Sequence, residues 1–306
     1  MALDTARPRV GVVVAVRNGL PHVVEAVQSA LRQGPIVHRV VVVDDRSTDG
    51  TAEAVSALAD PRVEVTANPG IGVSAARNAG ARLADAPWLL FLDADDRLTT
   101  GAVDALADHA DNNVSFVYGD YERIDERGQA VGRRGWIRSF RDKPSGDVLE
   151  ALLGGNFIIN GGVLICRRES FFDIGGFPEQ LALCEDWHLW CQLAAKGHAR
   201  YVPRRVMDYR VHAHSVMMRK PRRYEEFAPA LQAIFSDLRI RGKVPDQTLA
   251  RLRQRGESSL MVYCAQQALR ARKYDVALSM ALGAFRRHPS RAPWLIGRLV
   301  GAWSAL

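Results

Sequence analysis

The sequence predicts an α/β fold: a mainly parallel sheet flanked by helices, with a helical appendage at the carboxyl end. Three observations carry this reading. Apolar runs such as Val10 to Val16 and Val40 to Val43 show no polar alternation, which marks strands buried on both faces of a parallel sheet. Such runs alternate with helical patterns about every 25 residues through residue 120, the rhythm of right-handed βαβ units. Beyond about residue 220 only helical patterning continues. A chain of 306 residues has room for one large α/β domain and a smaller unit. The expected division is 1–218 and 219–306, with 1–120 and 121–218 as the halves of the first domain.

Arg9 to Val16 opens the sheet. Asn18-Gly19-Leu20-Pro21 turns the chain, and Pro21 suits the first helical position. Val24, Val27 and Leu31 then repeat at helical spacing. Val40 to Val43 is the second strand and ends in Asp44-Asp45. Ser47-Thr48-Asp49-Gly50-Thr51 supplies N-cap chemistry for a helix carrying Val55 and Leu58. Val63 to Val65 is a short third strand, and Gly72 opens a helix with Val73, Ala76, Gly80 and Leu83 on one side. Trp88 to Asp93 is the next strand, followed by a helix around Val103 and Leu106 and a strand at Val114 to Tyr118. Residues 120–146, rich in glycine and charge, read as an excursion with little core. A helix at Val148 to Leu153, a strand at Val163 to Cys166 and the turn Gly175-Gly176-Phe177-Pro178 follow. A helix opening at Cys184-Glu185-Asp186 and a strand near Arg205 to Val211 complete the first domain. Leu260 to Arg270 and Tyr274 to Arg287 read as a helical hairpin broken at Arg272-Lys273.

Composition narrows the class. Hydrophobic content of 47% and charged content of 25% are ordinary for a soluble globular protein. No apolar run reaches spanning length and the amino terminus lacks a signal-type apolar core, so a cytoplasmic protein is expected. Cys166, Cys184, Cys191 and Cys264 show neither metal-knuckle spacing nor a disulfide framework, and reduced thiols are expected. The net charge of +7 hides an asymmetry. Residues 200–306 carry 21 Lys+Arg against 7 Asp+Glu, a balance of +14, and residues 1–199 carry 20 against 27, a balance of −7. The two parts therefore face partners of different charge.

The chemistry concentrates at Trp88 to Asp96, where five apolar residues run into three carboxylates within four positions. Ligands of open parallel sheets bind beyond the carboxyl ends of the strands, where Asp93, Asp95 and Asp96 fall. Carboxylates this close repel one another unless a cation joins them. Mg²⁺ or Mn²⁺ takes oxygen ligands and keeps positions open for phosphate oxygens.

Val12–Asn18, Val42–Thr51, Gly72–Gly80, Phe91–Asp96, Gly175–Asp186 and Tyr209–Ser215 fall in an order that resembles family 2 glycosyltransferases. The resemblance covers residues 9–215, and Val-Asp-Asp-Arg-Ser-Thr-Asp-Gly-Thr at 43–51 is its most specific match. It implies the Rossmann-like A-type glycosyltransferase fold and an inverting, metal-dependent transfer of sugar from a nucleoside-diphosphate donor, a UDP-sugar favoured, to an acceptor hydroxyl. It further implies that Asp93 and Asp95 are the Asp-x-Asp pair, with Asp95 the direct metal ligand and Asp96 adjacent support or a sugar contact. His212, in Tyr-Arg-Val-His, completes the site for Mn²⁺ or Mg²⁺ by the same resemblance. Asp186, in Glu-Asp-Trp-His-Leu-Trp, corresponds to the catalytic base. Asp45 corresponds to the acceptor of a base N–H, Asp44 either shares that work or caps the following turn, and Arg77 contacts the diphosphate or the base. Gly161 and Gly162 would let backbone approach the acceptor pocket.

The sequence also departs from the family pattern. Ala15 stands where Pro or Thr is commoner and Arg17 where an aromatic is commoner, so Arg17 stacks on the base or meets phosphate instead. Arg46 replaces a glycine, which implies a turn that does not demand positive φ. The Gln-x-x-Arg-Trp signature of processive synthases is absent, since Gln192 is followed by Leu193-Ala194-Ala195-Lys196; one sugar per acceptor is therefore expected.

Two other classes compete. Gly70-Ile71-Gly72-Val73-Ser74-Ala75 matches the dinucleotide fingerprint of nicotinamide-dependent oxidoreductases, with Asp93 about twenty residues on. Against it, the match follows the third strand, Asn68-Pro69 interrupts the turn, and a ribose needs one acidic group rather than three. A non-catalytic polyanion or membrane-surface binding protein is the second, resting on Arg219-Lys220-Pro221-Arg222-Arg223 and Arg251 to Arg255. Intact acidic positions favour an enzyme whose acceptor is a glycan, lipid-linked or a small molecule, with no nucleic acid partner. Pro293 to Trp303 mixes aromatics, aliphatics and arginine. It is expected either to lie on an anionic membrane at its inner face or to pack Trp294 and Trp303 as a lid on the catalytic domain.

Overall fold

The computed structural model describes residues 8–131, 143–212 and 222–303, without the side chains of 301–303. Eight strands form one sheet: β1 (Val10–Val16), β2 (Val37–Asp44), β3 (Val63–Ala67), β4 (Trp88–Phe91), β5 (Arg97–Leu98), β6 (Val114–Ile124), β7 (Leu164–Arg167) and β8 (His198–Arg210). Their order is β3-β2-β1-β4-β7-β6-β8-β5. The first four positions are parallel throughout, as the valine runs require, and Val12 to Val14 and Val40 to Val43 have no exposure. Beyond β4 the sheet is mixed. β7 runs antiparallel to both β4 and β6, β6 and β8 are parallel, and β5 closes the edge antiparallel to β8.

Helices α1 (His22–Leu31), α2 (Thr51–Ser56), α3 (Gly72–Leu83) and α4 (Ala102–Ala107) connect the first strands. Gly80 lets α3 lie directly on the sheet, since a Cβ there would come 2.4 Å from Val13 Cγ1. The second half holds α5 (Leu149–Leu153), α6 (Arg168–Asp173) and α7 (Glu185–Lys196). Two boundaries differ from expectation here. β6 continues to Ile124, so the excursion begins later than residue 120; its segment Gly132 to Gly135 lies outside the described residues. β8 starts at His198 rather than near Arg205, because its first half alternates between buried and exposed positions and presents no apolar run.

The carboxyl-terminal helices are α8 (Ala228–Ser236), α9 (Leu238–Arg241), α10 (Asp246–Arg270), α11 (Tyr274–Arg287) and α12 (Ala292–Trp303). The break at Arg272-Lys273 falls where expected, with Arg272 at φ +56°. These helices pack onto the sheet domain: Leu249, Leu252, Leu260 and Cys264 belong to the same buried core as the strands. Contact with α5 is close, since a Cβ on Gly256 would sit 2.7 Å from the Leu153 carbonyl oxygen. Ser259 Oγ also donates to the Gly154 carbonyl at 3.1 Å. All four cysteines are free thiols. Among the described residues no helix is long and apolar enough to cross a membrane.

Candidate active site

A cleft of about 1730 Å³ opens beyond the carboxyl ends of β1 and β4 and continues under α10 and α12. Ala15, Arg17, Arg77, Asp93, Asp95, Asp186 and His212 all line it, although they come from segments far apart in the chain. Asp44 and Asp45 are not in the lining. The Asp44 carboxylate accepts from the Ser47 N–H at 3.2 and 3.3 Å, the turn-capping alternative. Asp45 is buried and accepts from Asn68 Nδ2 at 2.9 Å, Arg46 Nη1 at 2.8 Å and the Gly72 N–H at 3.1 Å.

The three carboxylates after β4 offer ligand oxygens within 4.8 Å of one another. Each is held differently. Asp93 Oδ1 accepts from Arg77 Nη2 at 2.7 Å and its Oδ2 from Asn160 Nδ2 at 3.0 Å. Asp95 Oδ2 lies 2.8 Å from His212 Nε2. Asp96 is buried beneath the pair, accepting from Asn160 Nδ2 at 2.6 Å and the Arg210 N–H at 2.7 Å. Burial, with Asp93 and Asp95 nearby, holds the Asp96 carboxyl well above the usual carboxylate range. The cluster is chemically fitted to a hard divalent cation. Its donors are carboxylate oxygens and an imidazole, and Asp95 Oδ1 has no hydrogen-bond partner among the described residues.

Arg77 joins the two ends of the cleft. It is 8% exposed, stacks 5.0 Å over Phe177, and reaches Asp93 with one nitrogen and Glu185 Oε1, at 2.9 Å, with the other. Burial lowers the guanidinium pKa, but Asp93 and Glu185 outweigh it and raise the net value. Beside Glu185, Asp186 stands in the first turn of α7, where its Oδ1 accepts from the Trp187 N–H at 2.6 Å. A carboxylate at a helix N-terminus ordinarily has a low pKa. Here burial, then the neighbouring Glu185, pushes the Asp186 carboxyl up to about 7 against the opposing pull of Arg77.

Several turns act as clamps between these walls. In the Ser47–Thr51 turn Asp49 Oδ1 accepts from the Thr51 N–H at 3.1 Å, at the start of α2, and the turn also fastens the β1–α1 loop. Ser47 Oγ accepts from the Asn18 N–H at 2.8 Å, Asn18 Oδ1 from the Thr48 N–H at 2.8 Å, and Thr51 Oγ1 from the Gly19 N–H at 2.9 Å. Arg46 does adopt positive φ, +63°, contrary to expectation. Its bonds to Asp45 and to the Gly70 carbonyl, at 2.9 Å, offset a left-handed conformation that costs about 1 kcal/mol. Gly161 and Gly162 have a packing reason in the sheet, since Cβ atoms there would meet the Phe91 carbonyl at 2.6 Å and Met207 Sδ at 2.4 Å. Gly70 likewise has a packing reason, with a Cβ there only 2.7 Å from Ala75 Cβ. The Gly72 N–H, which a dinucleotide site would aim at pyrophosphate, donates to Asp45.

Three residues that sequence reasoning did not single out hold the cluster together: Asn160, Arg210 and Glu25. Arg210 is 2% exposed and donates to the Asp95 carbonyl at 2.8 Å, the Asp125 and Glu126 carbonyls at 3.0 Å and Glu25 Oε2 at 2.6 Å. The arginine of Tyr-Arg-Val-His was visible, but nothing local distinguishes it from a surface strand arginine. The Ser215 end of that motif lies outside the described residues.

Solved structures share this architecture. TarS residues 1–349 of S. aureus, in complex with UDP-GlcNAc, superposes with a TM-score of 0.63 at 17% identity, covering 96% of this chain and 89% of that one. The mannosyltransferase PcManGT from Pyrobaculum calidifontis, in complex with GDP-Man and Mn2+, gives 0.58 at 23% identity, covering 97% and 86%. In sequence, an uncharacterized glycosyltransferase of Rickettsia felis is 26% identical over 220 residues, 71% of this chain and 35% of its own length. The chain thus spans about a third of the curated relatives it first matches. Residues 11–174 match the family model described as Glycosyl transferase family 2. With the ordered strand-end motifs converging on one acidic cleft, the chain belongs to glycosyl transferase family 2.

Proposed function

We propose that the protein transfers a sugar from a nucleoside-diphosphate donor to an acceptor hydroxyl, with inversion, metal dependence and one sugar per acceptor. The observation that carries the reading is Arg77, which bonds both Asp93 of the acidic cluster and Glu185 across a single cleft, with Glu185 adjoining Asp186, whose carboxyl is pushed up to about 7. Residues 1–120 receive the donor, residues 121–218 the acceptor, and the helices of 219–306 form the far wall. Asp95, Asp93 and His212 would hold Mn²⁺ or Mg²⁺, which would supply positive charge to neutralise the leaving diphosphate. Arg17 and Ala15 face the nucleoside. Asp45 accepts from a base N–H once Arg46, whose side chain is 58% exposed, swings off its carboxylate. Asp44 keeps the turn beneath it in shape.

Asp186 removes the acceptor proton. A carboxylate that titrates near neutrality is a stronger base than an ordinary one and is still substantially ionised at physiological pH. Inversion follows from a single displacement with this base opposite the leaving group. Gln192 is occupied by Asp237 at 2.8 Å, in keeping with the missing processive signature. The UDP-GlcNAc bound to TarS supports uridine as the base, and the GDP-Man bound to PcManGT makes guanosine the rival to be tested. A cytoplasmic enzyme resting on the inner face of the membrane fits the basic helical end and a lipid-linked or other cell-envelope glycan acceptor.

The test is thermal stabilisation by UDP and GDP with and without Mn²⁺, on wild type and Asp95→Ala. Mn²⁺-dependent stabilisation that the variant loses, with an unchanged melting temperature in buffer, is expected. Stabilisation of the variant equal to wild type at limiting Mn²⁺ would overturn the metal assignment.

A further inference from the structure

The helical wall of the cleft has a character the donor chemistry does not use. Arg255, Ser259 and Tyr263 from α10 and Arg291, Trp294 and Arg298 from around α12 line it, with Arg123 entering from β6. None of the cleft-lining residues from α10 onward is acidic. Among the described residues, Arg123, Arg255, Arg291 and Arg298 form no ion pair with a carboxylate. Other arginines of the same helices do: Arg253 and Arg287 both meet Glu257, at 3.2 and 3.1 Å.

Arg123, Arg255 and Arg298 reach the cleft from exposed positions and Arg291 from a half-buried one, and Trp294 and Ser259 organise part of the cluster. Arg291 lies 3.8 Å over the Trp294 ring and Arg298 6.0 Å from the same ring, so one indole gathers two guanidinium groups. Arg291 is oriented by Ser259 Oγ at 2.9 Å and the Arg255 carbonyl at 3.2 Å. Arg255 lies close enough to Arg291 that, after burial, its charge depresses the Arg291 guanidinium, while Arg123 and Arg298 both bear on neighbouring Arg270. Unneutralised like charges held together raise the free energy of the empty site, and an anion relieves that cost. Arginine forks match phosphate oxygens in a bidentate way, and an exposed indole face beside them suits a sugar ring.

We infer that Arg123, Arg255, Arg291 and Arg298 with Trp294 form an acceptor subsite for a phosphate group carried on the acceptor saccharide. The inference rests on the glycosyltransferase reading for the word acceptor, but the phosphate site itself can be tested without transfer. The phosphate is either borne by a lipid or part of a water-soluble sugar phosphate; the recognition chemistry is shared.

Calorimetry with the full chain in EDTA, which removes the cation site from play, would use glucose 1-phosphate, its octyl phosphodiester and neutral glucose as probes. Binding of both phosphates in preference to glucose is expected, weakening as salt rises. Arg255→Gln and Arg298→Gln should each weaken phosphate binding about tenfold. Both side chains are exposed, so these variants should keep their melting temperature. Equal affinity for the two phosphates assigns a water-soluble source and tighter binding of the octyl ester a lipid-borne one; either supports the subsite. Phosphate binding no tighter than glucose, or unchanged in both variants, overturns it. UDP titration with Mn²⁺ on the same preparations reports separately on the donor reading: loss of UDP binding alone counts against that reading and leaves the phosphate result intact.

Discussion

At the scale of residues, Asp186 carries the sharpest consequences, because the property that suits it to the proposed role of base also costs stability. Its carboxyl titrates at about 7 in the folded chain against an ordinary value of 3.8. The folded state therefore holds this proton more tightly than the unfolded state. Stability contributed by the protonated form is complete below pH about 4 and is lost as pH rises towards about 7. Asp186→Asn, which cannot ionise, should melt higher than wild type at pH 8 and nearly level with it at pH 4. Transfer should fall by about two to four orders of magnitude while nucleotide binding persists. Turnover in the wild type should rise with pH through an acid limb near 7. A variant with normal binding and normal transfer removes Asp186 as the base. Asp93 and Asp95 were legible in the sequence because they end a strongly patterned apolar run, whereas the family resemblance alone favours Asp186 over Glu185. Asn160, Arg210 and Glu25 were not legible, since their roles arise from approaches across 64 to 185 residues of chain. Arg46 misled for the opposite reason: side-chain bonds made by the fold override its intrinsic backbone preference.

Among the elements, the strands buried on both faces were plain from their composition, and β1, β2 and β4 lie where their apolar runs end. Direction was the part composition does not encode. Leu164 to Arg167 reads as a buried strand whichever way it runs, and only the return of the chain from α5 sets it antiparallel between β4 and β6. The helix expected at Leu260 to Arg270 proved to be the end of α10, which begins at Asp246. Its amino-terminal turns are rich in arginine and glutamine, so the apolar stripe that signals a helix is thin there. Gly256 shows what fixes α10 in place. Alanine is favoured over glycine inside a helix by about 1 kcal/mol, so a free-standing α10 would gain from Gly256→Ala. In the folded chain the added methyl would meet the Leu153 carbonyl at 2.7 Å and force α10 away from α5. Overpacking of this kind costs about 1–3 kcal/mol. Gly256→Ala is therefore expected to lower the melting temperature, with a further loss for Gly256→Val. A rise in melting temperature for the alanine variant would mean that the helical wall is not held against α5 by this contact.

For the whole molecule, the charge asymmetry acquires a geometry. The acidic portion places the carboxylate cluster Asp93, Asp95 and Asp96 at one end of the cleft, and the basic portion lines its far wall with arginines. The lid and membrane readings of the carboxyl end concern two sides of one unit and are not exclusive. Trp294 lines the cleft as the lid reading asked, whereas the side chain of Trp303 lies outside the described residues. On the outer side, α11 exposes Leu278, Leu282 and Phe285 at 62%, 46% and 44%, and α12 exposes Ile296 and Val300 at 60% and 61%. Positions 278, 282 and 285 share one helical face, opposite the buried Met280 and Ala284. Exposed Arg272, Lys273 and Arg286 bracket this apolar strip at the two ends of α11. Apolar side chains flanked by cations complement an anionic lipid surface, and each cation near such a surface adds about 1 kcal/mol. The Arg219-Lys220-Pro221 cluster lies outside the described residues and is not needed for this argument. Sedimentation with anionic vesicles should carry the protein down at low salt, with release at high salt and little binding to neutral vesicles. Leu282→Glu with Phe285→Glu should abolish sedimentation without altering UDP binding, because neither residue lines the cleft. No sedimentation with anionic vesicles at low salt would leave the helical end as a lid alone, and wild-type sedimentation of the double variant would move the contact to another face.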